Sequence, residues 1–321
     1  MTNTQTLSHK ARSMSITEYA ADLARCGVQI LPGETGTFWT RYEAGAMMRI
    51  PVFHLGPPAP QEVRQVLWHG RAAIASYLLE PDERHPANAW LYICTDQTYS
   101  LDKLAPAMRR NVRRGLKELK IAPLTTEQLL ANGVQAYCET RRRVGLGDGT
   151  PEAFHQRIAT RARLPEVSFL GAWKDDQLAA FLTITEVDDW AEIGCFSRDT
   201  LLHYRPNDTL MYTVLSHYLV ERGFRMVSYG VSSIQTKSNA VGLHRFKTKA
   251  GFEARPVHRA FVPHPLLRLF VNRLMLWGVN TALRFRPGNR RLKKAGGVLA
   301  CILGDTSVMK DVARSTSNES E

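Results

Sequence analysis

The residues in this chain whose types and spacing could do chemistry collect between positions 167 and 262. Tyr229 ends an apolar run; its phenol could protonate a departing group, or it could be a core tyrosine with a satisfied hydroxyl. Glu192 could accept a proton, directly or through water, but it alternates with Ile193 and could equally face solvent. Lys247 lies on a helical pattern beside Arg245 and Lys249, and the plain expectation is a lysine at the helix surface. Ser232 and Ser233 follow Tyr229 and could bind substrate, as loop serines often do. No Ser/His/Asp or Cys/His nucleophile constellation with a recognisable local signature is present. The five cysteines show no metal-ligand or redox spacing, which predicts buried free thiols in a reducing compartment and no metal. Such a residue set suits chemistry done by positioning and charge.

The elements that must position these residues are legible as an alternating pattern. Strand-like runs cover 167–173, 178–187 and 190–197, joined by the tight turns Lys174-Asp175-Asp176-Gln177 and Asp188-Asp189, which predicts an antiparallel meander. A helix over 208–222 follows, ended by Gly223, then a buried strand over 225–229, a helix over 239–250 and a last strand over 252–262. Upstream, 121–124 reads as a short strand and 126–144 as a helix capped at Thr125 or Thr126. The glycine-rich 145–150 follows a helix and lacks the phosphate-loop lysine, so it reads as a connection into a helix begun by Pro151.

Within 100–121, Leu104, Met108, Val112 and Leu116 recur every four residues and form one apolar stripe. Arg109, Arg113 and Lys117 form a second, flanked by Arg110 and Arg114; this is either a solvated outer face or an anion-facing helix. The segment before it is α/β: helices over 16–26 and 60–70, with Val63, Val66 and Leu67 on one face, and strands over 37–41, 47–54 and 90–95. Residues 265–284 read as an apolar helix carrying Arg268, Arg273, Arg284 and Trp277, followed by Arg286, Arg290, Arg291, Lys293 and Lys294. It either packs on the protein or lies at an anionic headgroup layer. Residues 1–14 and 305–321 read as a disordered leader and tail.

Composition bounds the partners. The chain has 321 residues, 44% hydrophobic and 22% charged, with a formal net charge of +12. That is a globular balance with a basic bias, which favours anionic partners such as phosphorylated cofactors, RNA or anionic lipids. No run of about 18 uninterrupted apolar residues and no apolar leader segment occurs, so a cytoplasmic location is expected by elimination, with possible contact at the inner membrane face.

From 121 onward the order is strand, two helices, three antiparallel strands, helix, strand, helix, strand. This order resembles the GCN5-related N-acetyltransferase (GNAT) fold, an α+β fold with a mixed sheet. The segment Tyr99-Ser-Leu-Asp-Lys-Leu104, the basic run Met108-Arg-Arg-Asn-Val-Arg-Arg-Gly-Leu-Lys117, and Gly242-Leu-His-Arg-Phe-Lys247 followed by Gly251-Phe-Glu253 resemble FemAB-type and BioF2-like acyltransferases. The resemblance implies two GNAT-like lobes: a reduced first lobe over 15–100, a basic linker over 101–120, an acyltransferase domain over 121–262 and a basic helical extension over 263–304. It places Phe246 and Lys247 at the acyl-transfer centre, with Lys247 as oxyanion stabiliser or tRNA-end contact.

It also implies acyl-CoA as donor and an amine on a cell-envelope, sugar or lipid-linked acceptor. Aminoacyl-tRNA is the alternative donor, and a non-catalytic module binding RNA or anionic membrane the rival from another class. The usual pyrophosphate loop is replaced by Leu202-His-Tyr-Arg-Pro-Asn-Asp-Thr-Leu210. Arg205, Asn207 and Thr209 there are the expected donor-binding residues, although Asp208 in the first turn suits a self-capped helix. Arg109, Arg113, Ser232 and Ser233 are the expected anion- or substrate-binding residues.

Overall fold

The computed structural model describes residues 14–304 apart from 35, 43–44, 148, 234–239 and 287. The expected leader (Met14 aside) and tail lie outside the described residues. In chain order the elements begin with α1 (Ile16–Arg25), β1 (Ile30–Pro32), β2 (Phe38–Tyr42), β3 (Ala46–Ile50), α2 (Pro60–His69), β4 (Ile74–Leu79) and β5 (Ala89–Cys94). Then come α3 (Pro106–Glu118), β6 (Lys120–Pro123), α4 (Thr126–Asn132), α5 (Val134–Arg143), α6 (Pro151–Arg161), β7 (Val167–Lys174), β8 (Gln177–Val187) and β9 (Trp190–Ser197). The last are α7 (Pro206–Leu215), β10 (Met226–Val231), α8 (Ala240–Lys249), β11 (Glu253–Pro263), α9 (Arg273–Phe285) and α10 (Arg290–Ile302).

The chain forms two compact units. The first comprises Tyr92–Tyr229 and Arg245–Glu253; the second comprises Ile16–Leu91, Gly230–His244 and the chain from Ala254. In the first, the strand order is β10-β9-β8-β7-β6, with β5 beside β10. The meander β7-β8-β9 is antiparallel throughout, as its tight turns require, and β6 adds to β7 in the same sense. Asp175 and Asp188 take positive φ in those two turns, a conformation short polar side chains tolerate. Tyr137 of α5 and Phe154 and Ile158 of α6 pack with Phe169, Leu178 and Phe181 of the sheet in one core. Phe196 of β9 joins it against Tyr137. Cys195, one residue earlier and so on the opposite face, hydrogen-bonds α7 through its thiol to Asn207 Oδ1 at 3.4 Å.

β9 and β10 are the exception to the antiparallel rule. They run parallel, and their pairing covers only Met226↔Trp190 to Ser228↔Glu192. β9 continues to Ser197 and β10 to Val231, so the two strands part immediately before Tyr229. That divergence opens the sheet where the candidate chemistry sits.

Several expectations need correction. The helix over 126–144 is two helices that meet at Gly133, where a Cβ would come within 2.7 Å of Leu129 and of the Phe154 ring. The strand over 47–54 ends at Ile50, before a proline that has no N–H for the ladder. β1, β4 and α10 were not anticipated. The apolar helix over 265–284 is a 3₁₀ stretch, Pro265–Phe270, followed by α9, whose start is set by Asn272 accepting from the Met275 N–H. β11, the expected last strand, also pairs antiparallel with β4, in the order β1-β2-β3-β4-β11 of the second unit.

A buried cation between two tyrosine rings

α8 buries His244 and Lys247, and Ala250 just past its end is buried too, three residues apart and therefore on one stripe. Lys247 is only 6% exposed, so the expectation of a solvent-facing lysine is wrong. Its Nζ sits 4.0 Å from the centroid of the Tyr92 ring and 4.3 Å from that of Tyr229. Tyr92 comes from β5 and Tyr229 from β10, neighbouring strands of the same sheet, and both rings flank the amine. Burial pushes the Lys247 pKa down to about 7, and among the described residues no acidic group opposes that shift. The two ring faces favour the cation, each supplying electrostatic attraction that requires no counter-ion.

The helix end holds this lysine in place. The Phe252 N–H donates to the Lys247 carbonyl at 3.1 Å, and the Tyr99 hydroxyl donates to the Ala250 carbonyl at 2.8 Å. Between them Gly251 has φ +102, and a Cβ there would come 2.7 Å from the Tyr99 ring. Only glycine fits this turn without strain. Phe252 then packs edge-on against Tyr229, ring centroids 5.6 Å apart.

Around Tyr229 burial dominates the electrostatics, with the Arg143 charge opposing it. Burial raises its phenol well above the ordinary value and pushes the Cys195 thiol up to about 12. Tyr229 is therefore a protonated phenol across physiological pH, able to donate and unable to act as a base. Arg143 donates to Ser197 Oγ at 2.8 Å and pairs with Asp199, which fixes it at the end of β9.

The structure brings Lys247 and Tyr229 together and separates Glu192 from them. Glu192 pairs with Ser228 in register, so the two share a face, and Tyr229, next along β10, points to the other. Burial raises the Glu192 pKa, with Arg161 and Arg157 of α6 partly opposing the rise. Phe246 is half-buried on α8. Ser232 is committed to backbone, its Oγ accepting from the Trp90 N–H at 2.9 Å, and Ser233 is half-buried beside it; both belong to the second unit.

The expected donor-binding loop is differently built. Arg205 is exposed, with φ 65 at the start of α7, and no side chain caps that helix, so Asp208 does not self-cap it. Asp208 instead accepts from Asn111 Nδ2 at 2.8 Å. Thr209 is fully buried, gives its hydroxyl to the Arg205 carbonyl at 2.9 Å, and packs where any side chain on Gly115 of α3 would collide with it. The Thr209 side chain, expected to contact a donor, is instead turned to α3. On α3, Arg109 lies 3.5 Å from Asp102, whereas Arg110, Arg113, Arg114 and Lys117 are exposed.

Tyr92 was missed by sequence reasoning. Its strand was recognised, but nothing local marks which of Trp90, Tyr92 and Cys94 would stand beside a lysine more than 150 positions on. The spacing of His244, Lys247 and Ala250 did hold a signal, since Lys247 lies on the buried stripe rather than between stripes.

No family model and no curated protein matches the sequence. Solved structures do match by fold. FemX superposes with a TM-score of 0.53 at 10% identity, covering 79% of this chain and 93% of FemX. The C-terminal domain (DUF2156) of a candidate lysylphosphatidylglycerol synthetase from Agrobacterium fabrum superposes with a TM-score of 0.51 at 16% identity, covering 76% and 87%. The fold is thus the GNAT-like one shared with FemX, mixed α and β around a partly parallel sheet.

Proposed function

We propose that this chain is an acyltransferase that moves an acyl or aminoacyl group from an activated donor to an amine, with Lys247 as the group that meets the developing oxyanion. The observation that carries this reading is a buried amine held between two ring faces, with no carboxylate beside it among the described residues, where β9 and β10 part. Attack of the amine on the donor carbonyl forms the C–N bond and places negative charge on the carbonyl oxygen. A positive charge already desolvated beside that oxygen gains most of its attraction in the transition state, which is where stabilisation accelerates a reaction. Collapse breaks the bond to the leaving group, and the proton shed by the attacking amine passes through water to that group, with the neutral Tyr229 hydroxyl suited to hydrogen-bond the departing atom.

Acyl-CoA is the donor the family resemblance implies. Aminoacyl-tRNA is favoured by the start of α7, where an acid occupies the first turn and Thr209 is packed under α3, which gives little purchase for a pyrophosphate. The exposed cations Arg110, Arg113, Arg114 and Lys117 of α3 support the same donor, because a nucleic-acid backbone is read by such charge. The lysylphosphatidylglycerol synthetase relative, by its name, also handles an aminoacyl group. Incubation of the purified chain with labelled acetyl-CoA, and separately with a labelled aminoacyl-tRNA mixture, in the presence of an amine acceptor tests both donors. Transfer from either that disappears in Lys247→Met supports the reading. Transfer that persists in Lys247→Met removes the proposed site, and binding of tRNA without turnover supports a non-catalytic module instead.

A further inference from the structure

The second unit ends in a surface that a soluble interior would not leave open. Leu266, Leu269, Phe270, Leu274, Trp277 and Phe285 are all exposed, Leu269 by 85% and Phe285 by 82%. Leu274, Trp277 and Phe285 are three and eleven positions apart and share one face of α9. The opposite face carries Leu276, Val279 and Leu283 and is already used: Gly296 of α10 approaches so closely that a Cβ there would lie 3.4 Å from Val279 Cγ1 and 3.8 Å from Leu283 Cδ1. α9 therefore has two apolar faces, one packed on its neighbour and one bare.

Charge identifies what the bare face fits. Between Glu253 and Asp305 the sequence contains no acidic residue. Arg268, Arg273, Arg284 and Arg286 border the apolar positions, all exposed, and among the described residues none of them makes an ion pair. Arg273 and Arg284 fall on the flank of the Leu274–Trp277–Phe285 stripe, the arrangement of a helix lying in an interface with its cations level with headgroups. A thirteen-residue helix is about 20 Å long, short of the roughly 30 Å of a hydrocarbon core, and among the described residues no helix is long and apolar enough to cross a membrane. A second copy docked face to face would bring the same arginines against each other, a repulsion an anionic surface does not present.

We propose that the segment Pro265–Phe285 docks flat on an anionic phospholipid surface, inserting Leu269, Phe270, Leu274, Trp277 and Phe285 among the acyl chains and setting its arginines against the phosphates. The inference rests on this face alone and is independent of which donor Lys247 serves. The test is flotation of the full chain with phosphatidylcholine vesicles, with and without phosphatidylglycerol. The protein floats with the anionic vesicles and stays down with the neutral ones. Leu274→Asn with Trp277→Asn lowers the bound fraction about tenfold or more, as expected for removing two inserted side chains. Arg268→Gln with Arg273→Gln lowers it about fivefold for each cation removed. Both variants change exposed positions, so unchanged melting temperatures verify that they fold. The proposal is overturned by failure of the folded wild type to float, by equal flotation with neutral vesicles, or by variants that float like wild type. It is also overturned if the substitutions abolish a concentration-dependent dimer and leave flotation untouched, which would assign the face to a second copy.

Discussion

Two buried cations in the first unit have nearly the same surroundings and opposite electrostatic situations. The Arg222 guanidinium lies over two rings, 4.5 Å from Phe224 and 5.2 Å from Tyr218, and Lys247 lies over Tyr92 and Tyr229 at 4.0 and 4.3 Å. Arg222 also holds the Glu186 carboxylate at 2.6 Å, and Tyr218 donates to the other oxygen of that carboxylate at 2.5 Å. Lys247 has no carboxylate among the described residues. A buried pair with its hydrogen bonds satisfied completes its own electrostatics and does structural duty. A buried amine with only π faces around it among the described residues can shed its proton near neutral pH, and on the proposed reading its cationic form is free to meet an anion from outside. The difference between the two nests is thus a difference between a finished contact and a receptive one.

The sharpest way to break this comparison is to remove each cation in turn. Arg222→Met strands Glu186 in the core and is expected to lower stability by about 3–5 kcal/mol, read from urea unfolding; a loss near zero would show that Arg222 is as dispensable to the fold as Lys247. Lys247→Met is expected to cut acyl transfer about 10²–10³-fold in kcat while the fold persists, the size found when one oxyanion partner is removed. In the unaltered protein the rate should fall as pH rises through about 7, since the cation is the working form. Lys247→Arg, which stays charged, should lose that fall whatever its residual rate.

The same lysine gives a stability prediction of opposite sign to that for Arg222. Below about pH 7 Lys247 is charged in both folded and unfolded chains, and the full penalty of burying it acts against the fold. As pH rises from about 7 towards the ordinary lysine value of 10.5, only the unfolded chain keeps the proton and the penalty fades. Wild-type stability should therefore rise through that window, and Lys247→Met should be the more stable protein below it, by on the order of 2 kcal/mol. Equal stability at every pH would mean that the rings fully offset the burial. The smallest effect sharpens the picture of the lysine's mounting: Gly251→Ala should cost about 1–2 kcal/mol, because it forces a side chain to φ +102 against Tyr99. Transfer by that variant should weaken with the loosened helix end.

The neighbouring pair of β9 and β10 teaches a similar lesson about position. Glu192 and Tyr229 looked equivalent as candidates because each stands at a strand position near the right place. Register separates them. The Ser228↔Glu192 pairing turns one to the α6 side, towards Arg157 and Arg161, and the next residue of β10 to the other side.

The sequence by itself determined what local physics controls. Tight acidic turns set the meander, the four-residue stripe of Met108 and Val112 set α3, and Gly223 and Gly251 ended the elements before them. The motif ending in Phe246-Lys247 singled out the lysine through a family resemblance and did not show that it is buried. Tertiary structure decided the rest, for reasons no local pattern contains. Whether Lys247 is solvated or desolvated depends on which strands stand beside α8, and those strands, β5 and β10, are far apart in the chain. Which strand β11 pairs with depends on backbone partners more than 170 positions away, as in its ladder with β4. Whether the apolar face of α9 is core or surface depends on α10, whose packing takes one side of the helix and leaves the other bare. Periodicity tells which residues share a face; only the assembled neighbours tell what that face meets.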